Sequence, residues 1–115
     1  MSEAMTSPLL RIAYITAPDR EQAARLGRQL IEAKLAACVN IIDGMLSIYP
    51  WNGRLEETRE AILLAKTTAD RMPALIEAVQ RLHTYEVPCV LGLTVAEGAP
   101  GYIDWLLQGL QPAER

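Results

Sequence analysis

The chain has 115 residues, 50 % of them hydrophobic and 22 % charged, with a formal net charge of −3. That balance folds around one core rather than staying disordered. Lys and Arg form no run or stripe, so the attraction that draws proteins to phosphate backbones is missing and no nucleic-acid partner is expected.

Residues 1–8 are polar and end in Pro8, which reads as a disordered leader ahead of a single domain over 9–115. The leader lacks both a basic and an apolar segment, and no stretch reaches the roughly eighteen apolar residues of a membrane helix. A cytoplasmic protein with no membrane partner is expected. Leu10 to Thr16 is short, apolar and partly β-branched, and Ala17-Pro18-Asp19 closes it with a helix-start signal. Between Asp19 and Leu35, Ala23, Leu26, Leu30 and Ile31 recur at helical spacing. Ala37 to Tyr49 reads as one long, bent strand, interrupted by Asp43-Gly44, a pair suited to a turn or bulge. Asn52-Gly53 is the strongest short-range hairpin signal, and Leu55 to Thr67 is the return strand.

Thr68 is placed to cap a second helix whose stripe is Met72, Leu75, Ile76, Val79 and Leu82, with Pro73 in its first turn. That helix ends near His83. Pro88 extends the residue before it, Cys89 to Val95 reads as a fourth strand, and a last helix runs from Gly101 to Leu110. The order βαββαβ plus a terminal helix predicts an α+β, ferredoxin-like antiparallel sheet with a long β2–β3 hairpin. Helices cover one face in that arrangement. The run Ile62-Leu63-Leu64 is apolar on both sides, so the opposite face also needs cover, and self-association supplies it at least cost.

Six fragments in order resemble the CutA family: Thr16-Ala17-Pro18, Ala36-Ala37-Cys38-Val39-Asn40-Ile41, Ser47-Ile48-Tyr49 with Trp51-Asn52-Gly53, Lys66-Thr67, His83 to Pro88, and Tyr102-Ile103-Asp104-Trp105. Thr84, Cys89 and Pro50 depart from the family pattern, where proline, an acidic residue and an aromatic residue are usual. The resemblance implies a ferredoxin-like subunit in a tight homotrimer, similar in architecture to PII signalling proteins. It also implies a link to tolerance of copper and other divalent cations.

Strand direction puts the hairpin tip and the His83–Pro88 loop at one end of the sheet, so Tyr49, Trp51, His83, Tyr85 and Glu86 are expected to line one cleft. Rings with a few polar groups suit an interface anchor or a small-effector pocket. His83 is the single histidine, and with Glu86, and Cys38 supplied across subunits, it is the candidate set for weakly bound copper(II) or another divalent cation. A histidine ending a helix also complements the helix C-terminus. Cys38 and Cys89 fit a reducing compartment and equally suit small buried apolar positions. Lys66 ends an apolar strand and needs a partner, for which Glu60 on the same face or a neighbouring chain's acid serves; snorkelling to water is the alternative. No nucleophile sits in a pattern with a base, so an enzyme is not expected; an uncharacterised one using His83 as acid or base is the alternative.

Overall fold

The computed structural model describes residues 9–111. The proposed leader lies outside them. Eight elements follow in order: β1 (Leu10–Ala17), α1 (Arg20–Glu32), β2 (Cys38–Trp51), β3 (Arg54–Thr68), a 3₁₀ turn (Ala69–Arg71), α2 (Met72–Leu82), β4 (Val90–Thr94) and α3 (Pro100–Gly109). The strands form one antiparallel sheet in the order β2-β3-β1-β4, the ferredoxin-like arrangement with an added helix.

Local chemistry explains the boundaries. Asp19 caps α1 by accepting the Gln22 N–H at 2.8 Å. The helix stops three residues before Leu35 because Lys34 turns left-handed at φ 61°. Leu35 N–H then reaches back to the Leu30 carbonyl at 2.9 Å and Lys34 N–H to that of Ile31 at 3.0 Å, a Schellman closure. At the second helix the structure corrects the expectation for Thr68. Its side chain makes no cap; it bonds to the Asp70 carboxylate and starts the 3₁₀ turn, and Pro73 sits in the first turn of α2.

Asn52 and Gly53, at φ 52° and 76°, make the two-residue turn between β2 and β3. Lower on β2, Asp43 and Gly44 face only Ala61, because the register steps from Ile42↔Ile62 to Met45↔Glu60. Gly44 takes φ 78° there, a bulge with a glycine where a side chain would be strained. Since β1 ends at Ala17 opposite Ala61, everything beyond the bulge is a two-stranded ribbon projecting past the sheet. The chain is accordingly elongated, 52 × 31 × 23 Å.

The two faces of the sheet differ. On one, Ala13, Ile15, Ala17, Ala61, Leu63 and Ala65 are buried beneath Ala23, Leu26 and Leu30 of α1 and Leu75, Ala78 and Val79 of α2. Small residues dominate the strands because the helices lie close. A Cβ on Gly27 would stand 3.0 Å from Val39 Cγ2 and 3.3 Å from Leu63 Cδ1, so α1 rests on β2 and β3 through a residue with no side chain. The register places Tyr14, Ile42, Ile62, Leu64, Leu91 and Leu93 on the other face. Ile42, Leu91 and Leu93 are exposed there. α3 covers only the end of this face near the start of β1, burying Ile103 and Leu106.

Candidate functional site

The ribbon and the 83–89 loop enclose a concavity of about 1050 Å³ on the open-face side. Tyr49 and Trp51 from β2, Glu56 and Glu60 from β3, and Tyr85 and Glu86 from the loop form its walls. Strand alternation accounts for the grouping. Tyr49 pairs with Glu56, and Trp51 lies two residues on from Tyr49, so these side chains share a side of the ribbon. Glu60 is fixed by two hydroxyl donors, Ser47 at 2.6 Å and Tyr85 at 2.8 Å. Among the described residues no Lys or Arg pairs with Glu56, Glu60 or Glu86, and none lines the concavity.

His83 holds the loop in place. Its Nδ1 accepts the Tyr85 N–H at 3.0 Å. The ring proton therefore belongs on Nε2, which donates to the Thr16 carbonyl at 2.7 Å, at the end of β1. The ring also packs against Tyr85, centroids 4.8 Å apart, and Thr84 adds a hydroxyl bond to Gln22 of α1 at 2.9 Å. Both imidazole nitrogens are thus occupied, and His83 offers no lone pair to a metal in this geometry.

The structure separates the rest of the expected metal set. Cys38 opens β2 and pairs across the sheet with Lys66, at the end opposite Glu86 and His83. Among the described residues no three His, Cys, Asp or Glu side chains approach closely enough to hold a metal ion. Lys66 also differs from expectation. It lies on the face of Glu60 but about 20 Å along β3 by strand rise, and its ammonium donates to the Tyr102 hydroxyl of α3 at 2.9 Å. That bond, with the nearby Cys38 sulfur, raises the Lys66 pKa against the opposing cost of partial burial. Within one chain Lys66 belongs to the α3 contact, not the cleft.

Tyr85 is pushed up to about 12, first by burial, then by its hydrogen bond to Glu60 and the charge of that carboxylate. The neutral phenol is the form the fold favours. The associated stability is complete below about pH 10 and declines as pH rises towards about 12. A spectroscopic phenolate titration is expected to show a late phase that is absent in Tyr85→Phe. A variant profile that still contains the late phase would refute the assignment to Tyr85.

Sequence reasoning brought Tyr49, Trp51, His83, Tyr85 and Glu86 to this end of the molecule; all but His83 line the concavity, and Glu60, read as a partner for Lys66, lines it as well. That reasoning missed Glu56 and the Ser47 hydroxyl. Counting by twos back from Glu60 along the return strand finds Glu56, and the pair Ser47↔Thr58 follows once the bulge is counted as one extra residue.

An α+β domain with a ferredoxin-like sheet, one uncovered apolar face and a projecting ribbon beside an acidic, aromatic cleft is the class defined by these features. The family model described as CutA1 divalent ion tolerance protein matches residues 11–109. The chain is 46 % identical over 95 residues to the divalent-cation tolerance protein CutA of Thermus thermophilus, spanning 83 % of this chain and 92 % of that one. A chloroplastic CutA of Arabidopsis thaliana is 38 % identical over 83 % of this chain and 52 % of its own length. The crystal structure of CutA1 from Oryza sativa superposes with a TM-score of 0.88 at 34 % identity, covering 96 % of this chain and 99 % of that one. The chain belongs to the CutA family of divalent-cation tolerance proteins.

Proposed function

We infer that this chain works as a cytoplasmic homotrimer, a PII-like signalling module in tolerance of copper and other divalent cations, with an effector held in clefts between its subunits. The observation that carries this reading is the apolar open face running into the cleft. Ile42, Leu91 and Leu93 stand exposed there, on a sheet whose edges, β2 and β4, have unpaired backbone groups. Identical chains cover such a face by closed symmetry, and the family resemblance makes it three-fold.

The donors among the described residues of one chain do not form a cage for copper, because His83 is engaged at both nitrogens and Cys38 is remote. A divalent ion is then held only with donors from a neighbouring chain. The same two hydrogen bonds disfavour an enzyme using His83 as acid or base. Light scattering on the eluting protein is expected to give three times the chain mass, and calorimetry with copper(II) chloride to give micromolar or weaker binding. A folded monomer at micromolar concentration would remove the trimer, and nanomolar copper affinity would mean a preformed metal site exists.

A further inference from the structure

We propose that the cleft between the ribbon and the 83–89 loop binds an organic cation carrying an alkylated ammonium group. This rests on the reading of that cleft as the effector site and names the chemistry of its occupant.

The rings of Tyr49, Trp51 and Tyr85 and the carboxylates of Glu56, Glu60 and Glu86 line the same concavity. Neither feature would define a ligand alone. Together they match what an alkylated ammonium needs, which is ring faces for its polarised methyl or methylene groups and negative charge at a distance for its nitrogen. A bare metal ion needs the reverse, several donors at about 2 to 2.5 Å and no rings. The carboxylates meet the first description. They stand around a space of about 1050 Å³, and among the described residues no three donors converge and no Lys or Arg forms an ion pair with them.

The parts are also held in place before any ligand arrives. Ser47 and Tyr85 fix both oxygens of Glu60, and His83 fixes the backbone of Tyr85, so the Tyr85 ring and the Glu60 charge are set relative to each other. An anionic or phosphorylated effector is disfavoured by the same carboxylates. A neighbouring chain's Lys or Arg is the competing occupant.

Choline is the probe, and its uncharged isostere with carbon in place of the quaternary nitrogen is the control. In a Trp105→Phe background Trp51 is the sole indole and reports on the cleft. Choline is expected to give a saturable change in Trp51 fluorescence, with the isostere binding about tenfold more weakly, the range of a partly desolvated cation–ring contact. Glu86→Gln, at an exposed position, is expected to weaken choline about fivefold without altering mass or thermal midpoint.

Equal response to both molecules, or no saturation by choline in an intact trimer, overturns the proposal. Loss of trimer mass in Glu86→Gln also overturns it, because the cleft then holds a neighbour's cation. A monomer that still discriminates choline from the isostere sustains this inference while sinking the trimeric assembly.

Discussion

A chain carrying Ile42→Lys together with Leu91→Lys is expected to fold normally and to elute as a monomer. In a single chain Ile42 is 50 % and Leu91 58 % exposed, so two lysines there reach water and change the stability of the subunit by roughly 0.5 kcal/mol or less each. Covered by another sheet, the same ammonium groups would be stripped of water without a partner, at a cost of several kcal/mol apiece. The two residues flank Tyr14, Ile62 and Leu64 on opposite sides of the open face, so the pair straddles any occupant. Light scattering and far-ultraviolet circular dichroism together decide the matter. A double variant that retains the wild-type oligomer mass would show that subunits do not meet through this face.

Leu63→Ala is expected to cost about 3 to 4 kcal/mol, a large share of what holds a domain this size together. Leu63 is 0 % exposed, lies between Ile15 and Ile41 in the register, and touches the place where α1 approaches through Gly27. Because α1 rests there on backbone, the helix cannot settle into the space that the lost isobutyl group leaves. Leu55→Ala on the ribbon, at a residue 72 % exposed, is the control and is expected to change subunit stability little. Urea unfolding at one fixed protein concentration measures both, so that the proposed assembly, which would make the midpoint concentration-dependent, bears on the two variants alike. A loss below about 1 kcal/mol for Leu63→Ala would mean the core collapses into the cavity more freely than this packing allows.

Most of the fold was legible because its signals are local. The cap at Asp19, the turn at Asn52-Gly53 and the glycine at the bulge each follow from one or two residues and their backbone preferences. The apolar run through Ile62 to Leu64 correctly announced a strand with two apolar faces. The site was less legible where partners are distant in sequence. Nothing around His83 reveals that the Thr16 carbonyl claims one nitrogen, and nothing around Lys66 points to Tyr102. Thr68 misled for a different reason: Asp70 lies close enough to compete for its hydroxyl.

The bulge at Asp43-Gly44 also lets β2 carry one residue more than β3 while the two sides of the ribbon stay assigned by their pairing. Beyond it Met45, Ser47, Tyr49 and Trp51 face the cleft, while Leu46, Ile48 and Pro50 face away. Dropping one residue there would leave Met45↔Glu60 and every later pair in place, because the Asn52-Gly53 turn and β3 fix that register, and would remove only the local kink and its glycine. Length at this point therefore sets an angle and not a side: in relatives that keep Tyr49 and Trp51, a lost or gained residue between Ile42 and Met45 is expected to aim the same wall of rings differently from the sheet.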